Sequence, residues 1–251
     1  MKSVKEINAI IHKLVKEVND LENQGSKLLD EAKTISANFH GTRFAKVADD
    51  PEVEKWHAIH AAADNAYIKA GELKKIIVVW KFNLLHAKKA ELLPIWAGVM
   101  REYEGKKIGA IREKEISDKL HNLGITGYFS KYAYSSPKIN LSFLDNNGHC
   151  SYPDYIELTG NYQVAFFDNE NKFKLPDLET FKFYGEGTPY IENPRQYIKQ
   201  LEKLATKAKT TAAAYDKALH AYNAAAVPGF AQIDAWKDNP GSIAEYFRIT
   251  R

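Results

Sequence analysis

Apolar residues recur from the N-terminus in alternating steps of three and four: Val4, Ile7, Ile11, Leu14, Val18, Leu21, Leu28, Ala32, Ile35 and Phe39, with Gly25 in the slot that lacks a side chain. A 3.5-residue period held for about five heptads belongs to a helix that lays one narrow stripe against other helices. At about 1.5 Å per residue it predicts a rod of roughly 55 Å. Ser3 followed by Glu6 has capping-box spacing, and Phe39-His40-Gly41 supplies a glycine stop.

A connector over residues 41–50 leads to Asp50-Pro51-Glu52, an N-cap, a first-turn proline and a first-turn acid. The second helix repeats the period through Trp56, Ile59, Ala63, Ala66, Ala70, Leu73, Ile77, Trp80, Leu84 and Ala87. A connector this short makes the two helices antiparallel neighbours and sets the alanines near Gly25 and Leu28, where small residues permit close approach. Ile76 to Phe82 is apolar beyond one stripe, so it is expected to touch a second body or a second copy of the chain. Pro94 marks a boundary, after which the chain continues helically with a kink to Tyr103 and stops at Glu104-Gly105.

Beyond this the pattern shortens. Residues 112–123 predict an amphipathic helix with Ile116, Leu120 and Leu123 on one face and Gly124 after it. Tyr128-Phe129, Lys138–Leu144, Tyr155–Leu158, Gln163–Phe167 and Thr180–Tyr184 read as short strands, with hairpin turns at Asp145–Gly148 and Asp168–Asn171. Asn193-Pro194 then opens a third helix carrying Tyr197, Leu201, Leu204, Ala208, Thr211, Tyr215, Ala218, Tyr222 and Ala225. The expected fold is α+β: a long antiparallel three-helix coiled-coil stalk (1–93 and 193–226) with a small α+β domain (94–192) inserted between helices 2 and 3. Residues 227–251 are expected to pack on the distal end of the stalk.

Of 251 residues, 45% are hydrophobic and 27% charged, with a formal charge of +3, so neither disorder nor a gross polyanion preference is indicated. The lone Cys150 cannot form an internal disulfide. No secretory leader pattern is present, and Ile76–Trp80 is too short to span a bilayer. A cytoplasmic protein without membrane attachment is expected.

Candidate chemistry is sparse. His57 and His60 share a helix face, but no Cys or acid–His pair with ligand spacing accompanies them. His149-Cys150, near Tyr152 and Asp154, is the one nucleophile-and-base cluster; neighbours on a strand point to opposite faces, and His121 lies in another element. The pairs Asp168/Glu170 and Asp145/Asp154 sit in turns, where such residues serve backbone geometry. Gly105, Gly109, Gly124 and Gly127 form no phosphate loop. No enzyme activity, catalytic residue, metal or cofactor is expected.

Charge carries more. Gly71–Lys131 holds twelve Lys/Arg against seven Asp/Glu, and Ile139–Arg195 four against nine. The acidic, tyrosine-bearing half (Tyr152, Asp154, Tyr155, Glu157, Tyr162, Asp168 and Glu170) suits an interface with a basic protein surface. The leading expectation is therefore a non-enzymatic protein-interaction module presenting the insert on a rigid stalk, its partner an unidentified protein. The alternative is a nucleic-acid contact through the basic stretch 88–114, with Lys88, Lys89, Arg101, Lys106, Lys107 and Arg112 reaching phosphates. The Lys/Glu-rich coiled-coil texture with an insert resembles small products of phages and mobile elements. That resemblance implies an inhibitor of a host nuclease or defence protein, or an assembly scaffold, and carries no site residues.

Overall fold

A computed structural model describes residues 1–37, 50–107, 113–129, 138–144, 156–159, 166–183 and 187–210. The fold is mostly helical with a small antiparallel sheet. Helix α1 spans Val4–Ala37 and helix α2 spans Pro51–Met100. At the start of α1 the Ser3 N–H donates to Glu6 Oε2 at 2.8 Å and the Glu6 N–H to Ser3 Oγ at 3.3 Å, the reciprocal cap read from the sequence. At the start of α2 the Glu52 N–H donates to Asp50 Oδ1 at 2.8 Å, with Pro51 in the first turn where its missing N–H costs nothing.

The two helices pack along their length in opposite directions. The Val4 N–H donates to Glu91 Oε1 at 2.9 Å, Lys74 pairs with Glu22 at 2.5 Å, and Lys55 with Glu31 at 3.3 Å. The buried stripes match expectation: Ile7, Leu14, Val18, Gly25, Ala32 and Ile35 face Ile59, Ala63, Ala66, Ala70, Leu73 and Ile77. At Gly25 an added Cβ would lie 2.8 Å from the Tyr67 ring, so the missing side chain makes room for a tyrosine edge.

Helix α2 does not stop at Pro94. It continues to Met100 and passes into a 3-10 turn at Arg101–Tyr103. An internal proline costs about 3 kcal/mol. Leu92, Leu93, Trp96 and Ala97 are all buried around it, each large side chain contributing about 1.5–3 kcal/mol, so packing outweighs the lost hydrogen bond.

Helix α3 (Glu113–Asn122) buries Ile116 and Leu120. Leu123, expected on the same face, is instead 55% exposed, because the helix has ended and Gly124 turns the chain at φ +75°. Strands β1 (Ile125–Phe129), β2 (Lys138–Phe143), β3 (Ile156–Thr159) and β4 (Lys182–Phe183) follow in a sheet ordered β1-β2-β3-β4, all antiparallel. Helix α4 (Pro194–Thr210) packs on α2, with Lys75 pairing Glu202 at 2.8 Å. Residues 41–49 of the predicted first connector, the predicted third helix beyond Thr210 and the whole of 227–251 lie outside the described residues.

One apolar core joins the N-terminal part of α1 and the C-terminal half of α2 to the sheet, through Trp80, Phe82, Trp96, Tyr103, Phe166, Phe173, Phe181 and Phe183. A second, small cluster of Ala32, Ile35 and Ile59 sits toward the other end of the helix pair. Within Ile76–Phe82, residues Ile76, Ile77, Val79, Trp80 and Phe82 are buried by the chain itself. Those five side chains are spent inside the chain rather than offered to a second copy.

Candidate functional site

The segment leading into α4 is fixed to α2 by one polar residue. Asn83 is fully buried, its Nδ2 donating to Ile191 O at 2.7 Å and its Oδ1 accepting from Ile191 N at 2.8 Å. The side-chain amide thus replaces a strand neighbour for the backbone of one residue. Beside it His86 Nε2 lies 3.1 Å from Thr188 O, its ring among Phe82, Phe183 and Tyr190.

Two residues of the expected basic face turn inward here. Lys88 is 4% exposed, and Lys89 Nζ donates to Phe181 O at 2.5 Å while lying 5.8 Å from the Phe183 ring centre. Lys88 is thereby withdrawn from solvent, while Lys89 is half-buried against the sheet.

The remaining basic candidates meet the acidic ones. After the 3-10 turn, Gly105 (φ +75°) donates its N–H to Phe173 O at 2.8 Å, and the Phe173 N–H donates to Lys106 O at 2.7 Å. Two residues oppose one, a bulge with glycine in the left-handed position that a side chain would strain. The pairing continues with Lys107 opposite Lys172. On the other side, Phe167 bridges Phe173 across the hairpin turn Asp168–Asn171, whose Asn171 has φ 57°.

Asp168 builds that turn. Its Oδ1 accepts from the Glu170 and Lys172 N–H groups, both at 2.9 Å. Those bonds, the Lys172 N–H foremost, hold its carboxyl below the usual range, with Lys172 and Lys174 adding to the effect. Its role is geometric. Glu170 projects from the same turn, exposed and ion-paired with Lys172. Glu157 lies on β3 opposite Asn140, while Tyr152, Asp154, Tyr155, Tyr162, Arg112, His149 and Cys150 lie outside the described residues.

A charged network closes the end of α2. The buried Tyr103 donates its hydroxyl to Glu115 Oε1 at 2.9 Å, and Lys119 meets Glu102 at 2.5 Å and Glu115 at 3.4 Å. Lys106 and Lys119 lie 4.7 and 5.2 Å from the Tyr103 ring centre. Burial, with the Glu115 contact behind it, raises the Tyr103 pKa, whereas the tyrosine hydroxyl and then Lys119 lower that of Glu115. Lys119 is raised, chiefly by Glu102. The network docks α3 against the end of α2.

Elsewhere, His57 and His60 flank Trp56 at ring separations of 5.0 and 4.1 Å. Among the described residues no group of three or more His, Cys, Asp or Glu side chains is placed to hold a metal, and no helix is long and apolar enough to cross a membrane. A groove of about 400 Å³ lies between α1, α2 and the start of α4, floored by Ile10, Leu14, Ile76 and Trp80 and rimmed by Lys13, Glu17, Glu192 and Arg195. No protein-family model matches the chain, and neither a curated protein nor a solved structure is significantly similar to it.

Proposed function

We propose that this chain is a non-enzymatic protein-binding module in which a long antiparallel helical stalk of three helices carries the sheet-bearing insert as its contact head. The carrying observation is Glu170: an exposed carboxylate on a turn whose shape is locked by the Asp168 carboxylate. A preformed tip loses little conformational freedom on binding, which is where much of the cost of association lies. The partner is a protein with a basic surface, as suits an inhibitor of a nuclease or defence enzyme, of the kind mobile elements carry, or an assembly scaffold.

The test is quantitative crosslinking in the cells that make the chain, comparing wild type, Glu170→Lys and Lys5→Glu, a charge reversal on the exposed flank of α1. A single protein captured by wild type and Lys5→Glu but lost with Glu170→Lys supports the reading. Reversing a charge desolvated at an interface costs about 2 kcal/mol or more, roughly thirty-fold in affinity. Capture indifferent to position 170, or none above background, refutes it.

A further inference from the structure

We propose that the ribbon formed by residues 105–107 and 172–174 is a binding site for the phosphate backbone of nucleic acid. The proposal takes up the nucleic-acid reading of the basic stretch, keeping Lys107 from it and adding Lys172 and Lys174 in place of Lys88 and Lys89, and it stands independently of the Glu170 interface. Strand pairing brings Lys172 and Lys174, which belong to the acidic half of the sequence, beside Lys106 and Lys107. Residues two apart on a strand share a face, so Lys172 and Lys174 project together, and Lys107, directly opposite Lys172, projects with them.

Like charges placed opposite one another are unfavourable, and a polyanion lying along the ribbon relieves them. Of the carboxylates around it, Asp168 is committed to its turn and acts on Lys172 and Lys174 through space, Glu170 is paired with Lys172, and Glu115 acts on Lys106. Among the described residues no carboxylate forms an ion pair with Lys106, Lys107 or Lys174, all exposed. Lys106 is steadied over the Tyr103 ring. The bulge at Gly105 leaves the ribbon edge without a side chain at that point, giving a phosphate room to approach backbone. Nothing in this arrangement reads base edges, so the contact is sequence-independent.

The test is fluorescence anisotropy of a labelled 20-base-pair duplex with the full chain across a salt series. Two phosphates neutralised, by Lys107 and Lys174 on the shared face, give a log–log salt slope of about −1.8, an affinity loss of about twelve-fold between about 50 and 200 mM salt. Lys107→Ala with Lys174→Ala should bring the slope close to zero, while Glu170→Gln, by releasing Lys172, should steepen it to about −2.7. Lys5→Ala with Lys16→Ala on α1 should leave it unchanged. All four lysines are exposed, and circular dichroism checks that each variant folds. No binding at about 50 mM salt, a slope indifferent to Lys107 and Lys174, or equal displacement by poly-glutamate at matched charge overturns the proposal. Because Glu170→Gln weakens the protein interface but strengthens this one, the two readings fail separately.

Discussion

Asn83 makes the sharpest test of how the chain is held together. Replacing it with alanine leaves the Ile191 N–H and C=O without the partners that now lie 2.8 and 2.7 Å away, in a site with no solvent access. Each buried polar group left unpaired costs about 1–3 kcal/mol, so the pair predicts about 2–6 kcal/mol. A water entering the vacated volume brings Asn83→Ala to about 3 kcal/mol, whereas Asn83→Leu, which excludes water, falls at the upper end. Asn83→Asp separates the donor from the acceptor. Ionised, it still accepts from Ile191 N–H but sets an oxygen against Ile191 O; protonated, it restores the donor. Its folded pKa is therefore raised above the unfolded value of about 3.9, and its stability deficit shrinks as pH falls and grows as pH rises. Urea unfolding followed by circular dichroism reads the global loss. Amide exchange at Ile191 reads local release of the strap, expected to rise about 150-fold for 3 kcal/mol. A loss below about 1 kcal/mol with unchanged exchange at Ile191 would refute the reasoning.

Two further outcomes follow from local geometry. At Gly127 an added Cβ would meet Leu141 Cδ2 at 2.5 Å and Leu120 Cδ1 at 3.2 Å, both leucines fully buried. Gly127→Ala should therefore cost about 1–3 kcal/mol in urea unfolding despite the better strand propensity, and Leu141→Val should recover part of it. Tyr103→Phe removes the hydrogen bond that holds the Glu115 carboxyl down. The ¹³C titration midpoint of Glu115 should rise toward the ordinary carboxylate range. Because its folded pKa is depressed, the tie to α3 is fully present above the unfolded glutamate pKa and lost as pH falls through the folded one; the variant should lose that acid sensitivity.

What was readable in the sequence was local. Ser3/Glu6 and Asp50-Pro51 announce helix starts because caps act over three residues, and the periods of α1 and α2 encode their shared seam. The strands near Phe129, 138–144, 155–158 and 180–184 were legible from β-branched and aromatic runs between turns. Long-range pairing was not. Lys88 and Lys89 look like helix surface until the sheet folds over them, and Asn83 is one polar letter in an apolar run until Ile191 arrives 108 residues later. The Lys106–Lys107 to Lys172–Lys174 ribbon depends on register between segments some 65 residues apart, which hydrophobic period does not specify. The helix is expected to run on past Pro94 and does so; what the sequence does not display is the tertiary packing around Trp96 that holds it there.

Helix α2, fifty residues and about 75 Å from end to end, is a single spine that serves, among the described residues, two apolar clusters of very unequal weight. A spine anchored so heavily at one end frays from the other. On warming, the Trp56 end should open first, with amide protection climbing along the helix toward Trp96 before the molecule unfolds as a whole.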